Sequence, residues 1–334
     1  MSDDRPLVSV VTPVFNGGEH LAEAIESVLA QTYENWDYAI CDNVSTDNTR
    51  EVAEEYAHKD ERIRLVTHDE HLGLLENWNR AIRLISPESK YAKVLHADDW
   101  FFPECFERMV ALAEEHPSVG IVGAYRLEGD TVGLDGIPYT QPVVPGLELC
   151  RGRFLRETYP FVFGAPSSLM FRSDLVRKRD PFYDETNLHS DTGVCYDVLQ
   201  ESDFGFVHQV LTYTRRHTGA FTSYTQRVGT YKPLHLEHLL RYGPGCLTPH
   251  EFEDQVGRRV TKYARFLLLR AHRFSDPEFR TFHLEALARL RTELGLARMT
   301  GMAGRSTLVR VERRLRRSVP EAARRRLSGS GRSV

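Results

Sequence analysis

Lys93-Val94-Leu95-His96-Ala97-Asp98-Asp99-Trp100 is a short apolar strand that runs straight into two adjacent carboxylates. Residues 91–95 have the length and composition of a buried strand, and Pro103 opens a helix behind them, so Asp98 and Asp99 fall at a strand's carboxyl end. Open α/β sheets bind ligands there. Two neighbouring carboxylates repel each other unless a cation joins them, and a divalent ion with oxygen ligands answers that need. Acidic residues ahead of a helix also suit its N-terminus with no ligand at all. The octet by itself leaves both readings open.

Outward from the octet, strand and helix alternate. Residues 7–14 form an apolar run ended by Phe15-Asn16-Gly17-Gly18, and Leu21, Ala24, Ile25, Val28 and Leu29 then fall on one helix face. Tyr38-Ala39-Ile40-Cys41 predicts a second strand, followed by a polar turn over residues 42–49. Val52, Ala53 and Tyr56 continue as a helix capped by Ser45, Thr46 or Asp47. A strand at 63–67 and a helix through Leu74, Trp78, Ile82 and Ile85 complete the pattern, which implies a parallel sheet with right-handed crossovers. Beyond the carboxylates, Phe106, Met109, Val110 and Ala113 mark a helix and residues 119–127 a strand. Residues 128–146, rich in Gly and Pro, read as a long loop or an irregular hairpin. Further strands are expected at 167–172 and 206–213. From about Tyr224 the character changes: Phe252, Val256, Val260, Tyr263 and Leu267 share helical spacing, as do Phe279, Phe282, Ala286, Leu290 and Leu294 behind an Asp276-Pro277 helix start.

The 334 residues, 41% hydrophobic and 27% charged, suffice for a sizeable core. A net charge of −4 suggests no polyanionic partner, hence no nucleic acid. The charge is uneven, however, with ten Arg against Glu312 and Glu321 from Arg305 onward. Leu308, Val311, Leu315 and Val319 there share a helix face ringed by Arg, which suits an anionic membrane surface; a solvated, packed or disordered tail fits the same pattern. The five cysteines are scattered without a C-x-x-C pair, so no disulfide framework or zinc site is indicated. With no signal-peptide pattern and no apolar run long enough to span a bilayer, the expectation is a cytoplasmic protein, soluble or peripheral at the inner face of the membrane.

No G-x-G-x-x-G follows the first strand and no G-x-x-x-x-G-K-[ST] occurs, so neither dinucleotide nor phosphate-loop binding is indicated. Instead Val10-Val11-Thr12-Pro13-Val14-Phe15-Asn16, residues 24–33, residues 42–47 and His96-Ala97-Asp98-Asp99 resemble, in order, successive motifs of the family 2 glycosyltransferases. The resemblance covers residues 7–217. It implies an α/β fold of GT-A type, a Rossmann-like, mostly parallel sheet with flanking helices, here followed by a C-terminal helical segment. The expected organisation is a transferase domain at 1–223, a helical subdomain at 224–303 and a basic tail at 304–334. The implied activity is inverting, non-processive transfer of one sugar from a nucleoside diphosphate sugar to a hydroxyl acceptor, a glycan or lipid-linked precursor of the cell surface, with Mn2+ or Mg2+ as cofactor.

The resemblance also assigns roles. Thr12 and Pro13 match first-strand residues that pack on the base, Asn16 ends the same nucleotide-binding motif, and Asp42 matches the carboxylate that accepts a uracil-type N–H, although an Asx turn would equally explain it. Asp98 contacts ribose or metal, and Asp99 binds the metal through the diphosphate. Residues 164–172 and 182–185 match the acceptor side, and Asp191 the general base, with Asp184 and Glu185 as substitutes and helix capping as the plain alternative. Arg216 matches a phosphate contact and His217 a metal ligand. Phe154, Tyr159, Phe161 and Phe163 either stack on a sugar or fill core.

Three positions depart from the family pattern. His96 stands where an acidic residue is common, Trp78 where an Arg often follows the Gly73 turn, and Ser190 where a Glu precedes the base. Asn77 or Arg80 are candidates to compensate, and the departures keep open a catalytically weak nucleotide-sugar-binding or scaffold protein. The Q-x-x-R-W motif of processive synthases is absent, since none of Trp36, Trp78 and Trp100 follows an Arg.

Overall fold

The computed structural model describes residues 5–156, 160–216 and 221–295, with Val311 and Arg314. They fall into two compact units, one within Met1–His217 and one within Thr218–Val334.

The first unit is a mixed sheet with helices against it. Its strands are β1 (Val8–Val14), β2 (Trp36–Asp42), β3 (Ile63–Thr67), β4 (Tyr91–Val94), β5 (Trp100–Phe101), β6 (Val119–Glu128), β7 (Thr131–Gly133), β8 (Val143–Val144), β9 (Met170–Arg172) and β10 (Asp203–Thr214). Its helices are α1 (Leu21–Leu29), α2 (Thr49–Lys59), α3 (Leu74–Ile82), α4 (Cys105–Glu115), α5 (Gly146–Leu155), α6 (Ser173–Arg177) and α7 (Ser190–Val198). The order across the sheet is β3-β2-β1-β4-β9-β6-β10-β5, with β7 on β6 and β8 on β10. Every residue of β1 is buried, as expected of a central strand covered on both faces. Leu21, Ala24, Ile25 and Val28 of α1 and Phe106, Met109, Val110 and Ala113 of α4 supply the apolar faces of the core.

Parallel pairing, implied by the alternating sequence, holds for β3-β2-β1-β4 and for β6 with β10. It fails at β9, which lies antiparallel to both β4 and β6. The chain reaches β9 after β7, β8 and α5 rather than through a single crossover helix, so the handed βαβ rule does not govern its direction. The long-loop segment contains a true hairpin, β6–β7, turned at Gly129 with φ +62°, where a side chain would be strained. Helix α4 does not follow the carboxylates directly either. Trp100 and Phe101 first pair with Tyr213 and Thr212, and Trp100 stacks on Tyr213 with ring centroids 3.5 Å apart.

The second unit is helical: α8 (Phe221–Val228), α9 (Tyr231–Tyr242), α10 (Pro249–Leu269) and α11 (Pro277–Leu294). A reciprocal capping box between Thr248 and Glu251 starts α10, and Asp276 accepts the Glu278 and Phe279 N–H groups at the start of α11. Buried His283 bridges the Tyr263 hydroxyl (2.9 Å) and the Val228 carbonyl (3.0 Å), so its two ring nitrogens are satisfied inside the apolar bundle. Among the described residues, no helix is long and apolar enough to cross a membrane. The basic tail lies outside the described residues except for Val311, buried, and Arg314, exposed.

Candidate active site

The parallel registers Val14↔Asp42 and Val11↔Val94 bring the carboxyl ends of β1, β2 and β4 to one edge of the sheet. Asn16, with φ +52°, clips that edge together. Its Oδ1 accepts the Thr46 N–H at 2.8 Å, and its own N–H donates to Ser45 Oγ at 2.9 Å. None of the three capping candidates is the N-cap of α2, which is Asn48 without a side-chain cap bond; Asp47 just before it joins the loops instead, Oδ1 accepting the Thr49 N–H and Oδ2 the Gly18 N–H. Asp42 is buried, and its Oδ1 accepts the N–H of Ser45, three residues on, at 3.2 Å. Thr12 and Pro13 sit inside β1, with the Thr12 hydroxyl 2.7 Å from that of Tyr38.

Two residues without an assigned role in the sequence reading flank this loop. Phe15 is 47% exposed, and its ring centroid lies 4.4 Å from that of His71, which hydrogen-bonds the Asn43 carbonyl at 3.1 Å. The available signal was a bulky aromatic directly after a strand end, where no core remains to fill.

The carboxylate pair occupies the turn between β4 and β5. Asp99 is nearly enclosed; its Oδ1 accepts the Arg215 N–H at 3.1 Å, and the Ser167 hydroxyl also bonds it. Burial, reinforced by the Asp98 charge, pushes its carboxyl up to about 7, while Ser167, Arg215 and Arg126 pull the other way. Arg215 Nε donates to the Asp98 carbonyl at 3.2 Å, and its guanidinium pairs with Glu23. Ser167 Oγ also accepts the His96 N–H at 3.1 Å. Behind them Lys93, with no exposed surface, donates from Nζ to the carbonyls of Ser167 (3.0 Å) and Leu169 (3.2 Å) and lies over the Phe101 ring. A ring nitrogen of His96 and carboxylate oxygens of Asp98 and Asp99 all lie within 4.8 Å of one another.

Trp78 links this turn to α7. Its ring is 4.9 Å from His96 and 5.4 Å from Tyr183, whose buried hydroxyl has no hydrogen-bond partner among the described residues. Asp191, half-buried in the first turn of α7, adds its charge to the field at Tyr183. Its Oδ1 accepts the Thr192 N–H at 2.7 Å, and burial pushes its carboxyl up to about 6. The substitutes are engaged locally: Asp184 with Thr186, and Glu185 with Asn79, which also clamps the Tyr183 backbone. Arg216 pairs with Glu128 at 2.9 Å on the surface; Glu128 also holds Arg126. His217 and Tyr159 lie outside the described residues. Phe154 and Phe163 are buried against Tyr196, hence core, whereas Phe161 is 40% exposed.

An α/β sheet whose strand ends carry this carboxylate turn has the form of a ligand-binding carboxyl edge. The chain belongs to glycosyl transferase family 2, whose family model matches residues 9–179, just over half of it. EpsE of Bacillus subtilis (strain 168), named as a glycosyltransferase, is 32% identical over 157 residues, 45% of this chain and 56% of EpsE. TuaG of the same organism, named as a teichuronic acid biosynthesis glycosyltransferase, is 30% identical over 138 residues, 41% of this chain and 52% of TuaG. The chain thus spans about half the length of these curated relatives. Among solved structures, Staphylococcus aureus TarS 1-349 with UDP-GlcNAc superposes with a TM-score of 0.66 at 15% identity, covering 96% of this chain and 91% of TarS 1-349. The mannosyltransferase PcManGT of Pyrobaculum calidifontis, with GDP-Man and Mn2+, gives 0.54 at 14% identity, covering 98% and 89%. At these identities the likeness is one of fold.

Proposed function

We propose that this protein is an inverting glycosyltransferase that moves one sugar per encounter from a nucleoside diphosphate sugar to an acceptor hydroxyl. The observation that carries the reading is Asp191: a half-buried carboxyl in the first turn of α7, pushed up to about 6 and linked through Tyr183 and Trp78 to the Asp98-Asp99 turn. A carboxylate of that basicity takes a hydroxyl proton better than an ordinary one. Inversion follows from one displacement, in which the deprotonated oxygen bonds to the anomeric carbon as the bond to the diphosphate breaks on the opposite face.

The donor's base lies against Phe15 and His71, with Asp42 accepting its N–H, while Thr12, Pro13 and Asn16 shape the strand end beneath it. Asp98 faces the ribose and Arg216 the phosphates, once released from Glu128. Asp98 and Asp99 would hold a divalent cation, Mn2+ or Mg2+, which supplies charge neutralisation for the departing diphosphate. The residues present fit it: two close carboxylates, one kept well above the usual range, are stabilised by a cation between them. His217 stands as a further candidate ligand. That TarS and PcManGT are solved with nucleotide sugars, and the latter with Mn2+, supports a nucleotide-sugar donor and a divalent cation for this fold.

The acceptor on this reading is a cell-surface glycan or a lipid-linked precursor, in keeping with a relative named for teichuronic acid biosynthesis. On the same reading the first unit performs the transfer, the second contributes a helical subdomain, and residues 304–334 are a basic tail that meets the inner face of the cytoplasmic membrane. The test is release of nucleoside diphosphate from a panel of nucleotide sugars and glycan acceptors. Turnover abolished by Asp191→Asn while nucleotide binding persists is the expected result; nucleotide-sugar binding with no turnover by the unaltered chain would leave only a binding protein.

A further inference from the structure

The His96 imidazole is poorly explained as core. It is half-buried, yet Nε2 is wholly enclosed and has no hydrogen-bond partner among the described residues. Enclosed polar atoms are nearly always paired, and leaving one unpaired costs about 1–3 kcal/mol. The residue sits two positions before Asp98, with a ring nitrogen and oxygens of both carboxylates within a 4.8 Å span. Donors about 2.1 Å from one ion lie within about 4.2 Å of one another, so side-chain shifts of roughly half an ångström would close the set.

We propose that His96 is a ligand of the cation in this site, completing an imidazole-carboxylate-carboxylate set with Asp98 and Asp99, and that it makes the site select Mn2+ over Mg2+. The inference rests on the reading of this turn as a cation site. The surroundings support it. The backbone N–H of His96 donates to Ser167 Oγ and so anchors the turn, and the Trp78 ring packs beside the imidazole, holding it before any ion arrives. The preference follows from ligand chemistry: Mg2+ favours all-oxygen, octahedral surroundings, whereas an imidazole nitrogen suits transition ions better. An acidic residue at position 96 would give three carboxylates and erase that distinction.

The experiment titrates the full chain with Mn2+ and with Mg2+, each alone and with UDP as nucleotide probe, and records pulsed electron paramagnetic resonance on the Mn2+ form. The expected spectrum contains nitrogen-14 coupling from a directly bound imidazole, lost in His96→Phe, which keeps a ring beside Trp78. Loss of an outer partner alone costs about 10–100-fold in metal affinity, so Mn2+ binding in His96→Phe should weaken at least about tenfold. His96→Asp should bind both ions and lose the preference for Mn2+; with the unaltered chain's spectrum, it decides the matter even if His96→Phe does not fold. Mn2+ binding that Asp99→Asn abolishes, without nitrogen coupling in the unaltered chain, overturns the role of His96 and leaves the cation site standing. No binding of either ion, with or without UDP, removes the cation site and this inference together.

Discussion

The carboxylate of Asp99 accepts the backbone N–H of Arg215 at 3.1 Å, joining the β4–β5 turn to the end of β10 across 116 residues of chain. The bond favours the ionised carboxylate, but burial and Asp98 outweigh it, and the group rests at about 7. An unfolded Asp titrates near 3.9, so the folded chain keeps this proton longer. Its stabilising contribution is therefore full below about pH 4 and is lost as pH rises through about 7. Asp99→Asn should raise the melting temperature at pH 8 without added metal, by a gain on the order of 1 kcal/mol, since one shifted unit is worth 1.36 kcal/mol and neighbours absorb part of the change. The same variant should lose the Mn2+-dependent part of the stabilisation by UDP. Melting curves with and without both ligands check the two signs.

Asp191, at about 6 in the free protein, must be ionised to take a proton. Activity per donor bound should therefore fall on the acid side with a midpoint near pH 6. Asp191→Asn should lower kcat by about 10²–10⁴-fold, the usual contribution of a positioned base, with little change in donor KM. A pH profile still breaking near 6 in a partly active Asp191→Asn variant would assign the base elsewhere.

Much of this edge was legible because local pattern encodes it. The apolar runs of β1 to β4 and the helix face of Leu21, Ala24, Ile25 and Val28 are periodicities within one segment, and the order of motifs placed Asp42, Asp98 and Asp99 on a common edge. What escaped depends on partners far along the chain. Strand β5 is two residues long and exists through Thr212 and Tyr213; β9 is three residues long and runs antiparallel to β4, a direction its own residues do not encode. Lys93 looks like the polar position of a half-exposed strand, yet it is fully buried because two carbonyls more than 70 residues away receive its ammonium.

That ammonium gives a third prediction. Lys93→Met keeps an unbranched stem but removes the donor to the Ser167 and Leu169 carbonyls, which should cost about 1–3 kcal/mol for acceptors left unpaired. Because Ser167 in turn holds His96 and Asp99, Mn2+ affinity should fall as well. Lys93→Arg should recover neither fully, since the larger planar group does not fit an ammonium's enclosed site. Denaturant unfolding and calorimetry read the two effects separately.

Phe15 and His71 form a tilted ring pair beside Asp42. Base-on-aromatic stacking is worth about 1–3 kcal/mol by alanine substitution, so Phe15→Ala should weaken UDP binding by roughly ten- to hundredfold and Phe15→Tyr should restore it. Inorganic diphosphate should bind both variants like the unaltered chain, because it lacks a base. A loss shared by UDP and diphosphate would place Phe15 in the fold rather than against the base.

The tail gives the last prediction. Ten Arg against two Glu from Arg305 onward sit in a chain whose total is −4, so the remainder is strongly acidic and would be repelled by the surface that attracts the tail. Each basic residue near an anionic leaflet contributes about 1 kcal/mol, and apolar burial of Leu308, Leu315 and Val319 would add to it, whereas Val311 is already buried in the protein. Truncation after Gly304 should leave transfer to a soluble acceptor analogue nearly unchanged. It should also abolish sedimentation with phosphatidylserine-containing vesicles at low salt, where the Debye length is long enough for the Arg cluster to act together. Raising the salt should release the full-length chain in proportion to screening. Equal sedimentation of both forms at low salt would remove the membrane from the proposal, and with it the case that the acceptor is presented at a lipid surface.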